Sequence, residues 1–124
     1  MKILLDTNFI VALASQPVKN TSTLTEQYGQ VQYATVKPVL VELRSLSMDR
    51  GSTARFRRAL LYSESLEVFE VSGDADQTLL ECASHNGFAV ATLDGELALR
   101  LRQAGVPVVT LSGGRVRITG GILR

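Results

Sequence analysis

Four carboxylates in this sequence stand where they could act together on one ligand. Asp6 directly follows the apolar run ILL, and Asp94 follows AVATL, so each sits where a buried strand ends. In open α/β sheets that carboxyl edge is where ligands bind. Either aspartate alone would serve equally well as the cap of the next helix. Two of them on strands of one sheet are harder to explain so, because neighbouring like charges raise the cost of ionising both. Glu42 lies three residues after Val39 and four before Leu46, at the border of an apolar stripe completed by Leu43. A glutamate there has to be paired, protonated or metal-bound, unless its stem lies along the core while its head reaches water. In GDADQTLLECASH, Asp76 precedes Leu79, Leu80 and Ala83 at helical spacing and continues their stripe, whereas Asp74 points elsewhere and suits a cap.

Asp6, Glu42, Asp76 and Asp94 together could not stay ionised without counter-charge, and no lysine or arginine is placed among them. One or two magnesium or manganese ions would supply it through oxygen ligands alone. Phosphodiester hydrolysis is the chemistry that suits such a cluster, since the metal both activates water and offsets charge on the phosphate. No other reactive pair competes. Cys82 lies on a helix face near the core and is expected to be inert, and His85 has no Ser or Cys beside it in the pattern.

The elements that must position these acids are legible as short apolar runs alternating with helical periods, the pattern of a mainly parallel sheet. Strands are expected at Lys2–Leu5, Tyr33–Val36, Leu66–Val71, Phe88–Thr92 and Val106–Leu111. Helices are expected at Asn8–Ser15, Leu24–Gly29, from Pro38 to about Asp49, Thr53–Ser63, from Asp74 to His85, and Gly95–Ala104, with residues 16–23 as a loop. Gly51 is expected to break the helix that starts at Pro38, and Asn86-Gly87 to close the one that starts at Asp74 with a left-handed cap. Ser112-Gly113-Gly114 predicts a hairpin into Arg115–Thr119, an antiparallel edge strand, and the tail TGGILR is expected to be loose. The whole is a three-layer α/β/α sandwich around a mainly parallel five-stranded sheet, with that C-terminal strand added at its edge.

Length and composition fit this plan. The chain has 124 residues, 45% hydrophobic and 20% charged, the balance of one soluble globular domain spanning residues 1–124. A single cysteine excludes an internal disulfide and favours a reducing, cytoplasmic setting. One cysteine and one histidine also exclude a self-contained Cys/His zinc site. No apolar run is long enough to span a bilayer, and the N-terminus is not expected to be a signal peptide. The net charge of +1 is neutral about nucleic acid, but ten of the thirteen basic residues are arginines. They are grouped as Arg55, Arg57 and Arg58, as Arg100 and Arg102, and as Arg115 and Arg117. These groups would either read phosphates through their planar forks or form solvated faces.

The segments LLDTN, VLVELRSL, DQTLLECA and VATLDGELALRLRQAGVPVVTL together resemble the PIN-domain nuclease family over essentially the whole chain. The last segment most resembles the archaeal branch related to ribosomal RNA processing nucleases, and more distantly the VapC-type toxins. That resemblance implies magnesium- or manganese-dependent cleavage of single-stranded RNA, with the family's acids falling on Asp6, Glu42, Asp76 and Asp94. It also matches Asn8 and Thr92 to polar residues that hold carboxylates or metal-bound water in place. Where the branch often has a second aspartate beside the third acid, this chain has Gln77, and Glu96 could substitute as an outer ligand. The zinc ribbon of some ribosome-maturation members is missing from this sequence. Expected partners are single-stranded RNA, a second copy of the chain, and an antitoxin if the role is that of a toxin; no membrane is expected. Two other classes fit the sequence less well. A receiver-type signalling domain would need paired acids after the first strand and a lysine after the fifth, and neither is present. A non-catalytic PIN module binding RNA or protein would not need its acids intact.

Overall fold

The computed structural model describes residues 1–49 and 53–120. The chain alternates strand and helix from its start: β1 (Lys2–Leu5), α1 (Thr7–Ser15), α2 (Thr21–Tyr28), β2 (Gln32–Val36), α3 (Lys37–Ser47), α4 (Thr53–Ser63), β3 (Glu67–Phe69), α5 (Ala75–Asn86), β4 (Ala89–Ala91), α6 (Gly95–Gln103), β5 (Val108–Ser112) and β6 (Arg115–Thr119). The strands form one sheet in the order β3-β2-β1-β4-β5-β6. Every pairing is parallel except that of β5 with β6. This is the expected three-layer architecture, with the five parallel strands and the antiparallel C-terminal edge.

The strand order fixes where the helices lie. From β1 to β2 to β3 the chain steps one way across the sheet, and from β3 to β4 to β5 it steps back. Right-handed crossovers in opposite directions put their helices on opposite faces. So α1, α3 and α4 pack together on one face, and α5 and α6 cover the other. The two directions diverge between β1 and β4, which are hydrogen-bonded neighbours. A crevice opens at the carboxyl end of such a pair.

β1 is central, and Ile3, Leu4 and Leu5 are fully buried, as a strand covered on both faces requires. Truncating any of them to alanine would cost roughly 2–5 kcal/mol. Phe9, Ile10 and Leu13 of α1 and Val39, Leu40 and Leu43 of α3 fill one side of the core. Leu79 and Ala83 of α5 and Leu97 and Leu101 of α6 fill the other. Leu46, expected in the α3 stripe, is only half-buried.

Several bounds differ from expectation for identifiable reasons. α2 begins at Thr21 rather than Leu24; it buries only Leu24, so its polar first turn carries no periodic signal. α3 begins at Lys37, one residue before Pro38, and its end loosens beyond Ser47, where Met48 and Asp49 donate to Ser45 and Leu46. β3 is shorter than Leu66–Val71 because the Val71 N–H turns back onto the Phe69 carbonyl at 3.0 Å, a three-residue turn that ends the strand. β4 is likewise shorter than Phe88–Thr92, with the Phe88 N–H bonded back to Ala83 of α5. β5 starts at Val108 because the Val106 N–H is used in closing α6, bonding to the Leu101 carbonyl at 2.9 Å. Gly87 ends α5 in the left-handed conformation as expected. Gly113 and Gly114, at φ 58° and 77°, turn β5 into β6 with the positive φ pair of a two-residue hairpin. The break expected at Gly51 and the tail beyond Gly120 lie outside the described residues.

The loop before α2 is tied to the sheet edge. The Asn20 side chain donates to the Val116 carbonyl at 2.8 Å and accepts from the Val116 N–H at 2.9 Å, while the Lys19 N–H donates to the Gly114 carbonyl at 2.7 Å. Among the described residues no helix is long and apolar enough to cross a membrane.

Candidate active site

Asp6 leaves the end of β1 at the crevice between β1 and β4. Its N–H donates to the Ala91 carbonyl at 3.1 Å, continuing the ladder by one residue. Its side chain then does two things. One oxygen caps α1 by accepting from the Phe9 N–H at 2.9 Å, and the other accepts from the Thr92 hydroxyl at 2.5 Å. The capping and clustering readings of Asp6 are therefore both true of the same carboxylate. Thr92 in turn accepts from the Asp94 N–H at 3.0 Å, so one hydroxyl joins the two loop ends of β1 and β4. Asp94 caps α6, accepting from the Glu96 and Leu97 N–H groups.

Glu42 reaches the same place from α3 and accepts a hydrogen bond from the Thr7 hydroxyl. Asp76 lies in the first turn of α5, one residue past the cap's neighbour Ala75, while Asp74 is the N-cap and accepts from the Gln77 N–H at 3.0 Å. Helical phase had separated these two aspartates in this sense. Asp6, Glu42, Asp76 and Asp94, together with Thr7 and Asn8, line one cavity of about 220 Å³, floored by Val39, Ala75 and Leu79.

The acids differ in depth. Asp6 is 8% exposed; Asp76 is half-buried, and Glu42 and Asp94 are open to solvent. They are thus convergent on the cavity, but only Asp6 is inward-facing in the full sense expected: Asp76 and Asp94 stand at helix starts on the rim, and Glu42 reaches it from the middle of α3. Among the described residues no three Asp, Glu, His or Cys side chains stand close enough together to hold an ion without adjustment. A shared cation would have to draw the rim carboxylates toward Asp6.

Burial pushes the Asp6 carboxyl above its ordinary range, with the Asp76 and Asp94 charges adding to the rise and the bonds from Thr92 and Phe9 opposing it. Asp76 is also raised, first by burial and then by Asp74 and Asp94, with Glu42 adding a smaller push and Arg100 acting the other way. Asp6 and Asp76 therefore feel the like charges around them.

The remaining expected residues are distributed unevenly. Asn8 lines the cavity and Thr92 holds Asp6. Glu96 is exposed on the first turn of α6 and is not among the lining residues; its place in the helix turns the side chain away from the crevice. Gln77 donates to Glu81 at 2.9 Å and accepts from Arg100 at 2.8 Å, so it anchors an arginine beside Asp76. Arg102 donates to Thr119. Arg55, Arg57 and Arg58 are exposed on α4, away from the cavity lining. Cys82 is buried, and burial raises its thiol pKa, consistent with inertness. His85 faces solvent near the Glu81 carbonyl.

Two hydroxyls hold the site without a clear signal in the sequence. Thr7, beside Asn8 in the first turn of α1, reaches across to Glu42 of α3. Thr35, fully buried on β2, donates to the Leu5 carbonyl at 2.7 Å and so fixes the end of β1 that carries Asp6. A polar residue inside the run YATV was the only signal for it.

Comparison with known proteins shows the family and the fold. The family described as "PIN like domain" matches residues 3–114. Ribonuclease VapC9 of Archaeoglobus fulgidus is 33% identical over 107 residues, covering 83% of this chain and 77% of that protein. The solved structure of the PIN domain endonuclease Utp24 superposes with a TM-score of 0.75 at 21% identity, covering 99% of this chain and 96% of the other.

Proposed function

This chain belongs to the PIN-like domain family, and from that premise we propose that it is an endoribonuclease hydrolysing phosphodiester bonds of single-stranded RNA. The observation that carries the reading is the convergence of Asp6, Glu42, Asp76 and Asp94 on one cavity at the point where the sheet reverses direction. The donor set suits a hard divalent cation, magnesium or manganese: it consists of carboxylate oxygens of like charge, one of them buried where its ionised form is disfavoured. Such an ion, when bound, would lower the pKa of a water and offset charge developing on the phosphate. The protein's own groups supply position. Asp6 would be the inner ligand, held in place by Phe9 and Thr92; Asp94 is tied to it through the same threonine. Glu42 is steadied by Thr7, and Asp76 completes the ring from the opposite layer.

The C-terminal segment favours a role in ribosomal RNA processing, by its likeness to that branch of the family. The similarity to Ribonuclease VapC9 favours a second reading, a toxin ribonuclease held by an antitoxin encoded beside it. Purification of the protein from its source with a small tightly bound partner would select the second.

Cleavage of single-stranded RNA by the purified protein, with magnesium or manganese added or chelated, tests the activity directly. Asp6→Asn and Asp94→Asn are each expected to lower the rate at least about 100-fold, the scale of losing a group that organises reacting charge, with the fold retained by circular dichroism. Full activity in either variant refutes the assignment.

A further inference from the structure

A second cleft adjoins the acid cavity, between α3 and the loop that leads into α5. It has a volume of about 400 Å³ and shares Glu42 and Ala75 with that cavity. This size is within the roughly 300–1,000 Å³ of small-ligand sites. One wall is the α3 face formed by Lys37, Pro38, Val41 and Glu42, residues one turn apart. The opposite wall is the loop between β3 and α5, where Val71 projects. Val41 is 55% exposed and Val71 38% exposed, and both line this cleft. Gly73 in that loop has φ 128°, a backbone conformation that side-chain-bearing residues rarely adopt, so the wall's path depends on glycine. Among the described residues Lys37 makes no ion pair, and Asp74 at the rim is occupied in capping α5.

We propose that this cleft is the subsite for a nucleobase of the RNA strand, one or two nucleotides from the bond cut in the acid cavity. The inference rests on the ribonuclease reading and names where that substrate's neighbouring nucleotide sits. Three properties of the cleft match a nucleotide. Its lining includes Pro38 and the exposed side chains of Val41 and Val71, apolar surface of the kind that holds an unstacked base. Lys37 is the one cation of that lining, which also carries Glu42 and Asp74, and it is a point charge suited to one phosphate. The cleft shares Glu42 and Ala75 with the acid cavity, so a strand lying in one can enter the other. A base held against Val41 and Val71 meets no hydrogen-bond code there, and the cleft would accept any base.

The test uses the full chain carrying Asp6→Asn, so that binding is read without cleavage. Methyl NMR signals of Val41 and Val71 are followed during titration with a single-stranded hexaribonucleotide and with a base-free ribose-phosphate hexamer of equal charge. The hexaribonucleotide is expected to shift both valines, and the base-free hexamer to leave them in place. Val41→Glu is expected to weaken binding of the hexaribonucleotide at least about fivefold, the low end of losing one stacked base. Lys37→Glu should weaken both ligands. Shifts confined to other faces, equal shifts with both hexamers, or no RNA binding at all would overturn the subsite. Valine shifts in a protein that nonetheless fails to cut RNA with any divalent ion would retain the subsite and refute the nuclease.

Discussion

The carboxylate of Asp6 caps α1 through one oxygen and meets Thr92 through the other, yet burial and its acidic neighbours raise its pKa. An acid whose pKa is higher folded than unfolded holds its proton more tightly when folded, so ionising it costs stability. That cost is absent below the ordinary value of 3.8 and complete once the pH exceeds the raised value; Asp76 shares the direction. Metal-free protein should therefore lose part of its stability as the pH rises out of the carboxyl range. At neutral pH Asp6→Asn should raise the metal-free Tm by about 4 °C for each ~1 kcal/mol of penalty removed. Divalent ions favour the ionised acids, so the Tm increment from added manganese should grow with pH over the same window in the parent protein. It should be small in Asp6→Asn. A variant that melts lower than the parent without metal would show that the caps outweigh the repulsion. Thr92 is the second sensitive residue: Thr92→Val strands the Asp94 N–H and frees Asp6, at a cost of about 1–3 kcal/mol. Catalytic loss should be roughly 10–100-fold, as for groups that orient metal ligands, with Thr92→Ser restoring most of it. Unchanged kinetics in Thr92→Val would remove the threonine from the site.

At the scale of elements, the site is a set of helix starts gathered by a sheet. Asp6 begins α1, Asp76 lies in the first turn of α5, and Asp94 begins α6. Each N-terminus also favours negative charge through its free N–H groups. Because Asp74 is spent on its cap and Asp76 faces the cavity, Asp76→Asn should cost far more activity than Asp74→Asn, in which the asparagine oxygen still caps the helix and stability changes little. Equal kinetic losses would contradict the division. This much was legible beforehand: Asp74 and Asp76 differ in helical phase, and Asp6 and Asp94 mark strand ends whose apolar runs are unmistakable. What was not legible depended on distance between elements. The register that sets Thr92 against Asp6, the reach of Thr7 to Glu42, and the Gln77–Arg100 bond join residues 86, 35 and 23 positions apart, and no local pattern encodes them. Glu96 looked like a ligand by proximity to Asp94 in sequence. Its helix, begun at Gly95, turns it outward.

Across the whole molecule two of the arginine groups lie in opposite helical layers, and the third, Arg115 and Arg117, lies on β6. Arg55, Arg57 and Arg58 lie on α4 on one face of the sheet, and Arg100 and Arg102 on α6 on the other. With a net charge of only +1, RNA affinity has to come from such local groups rather than from a general field. Arg100, held by Gln77 beside Asp76, is the arginine best placed to meet a phosphate near the acids. Replacing Arg100 and Arg102 with alanine should lower RNA affinity across sequences and flatten its salt dependence by about one unit of slope per lost phosphate contact. An unaltered slope would assign those arginines to the protein's own surface.

The bond pair between Asn20 and Val116 reaches beyond the loop it fastens. A carboxamide offers the same donor and acceptor as one residue of backbone, so for Val116 this side chain occupies the position of a seventh strand. Leu24 and Tyr28 of α2 lie alongside the same edge, bordering a cleft with Val116 and Ile118. Proteins whose sheets end in open backbone can grow by adding strands from other chains, which is the route to swapped dimers and fibrils. Here one amide takes up the backbone of Val116, so a strand from another chain that sought to pair with β6 would have to displace it.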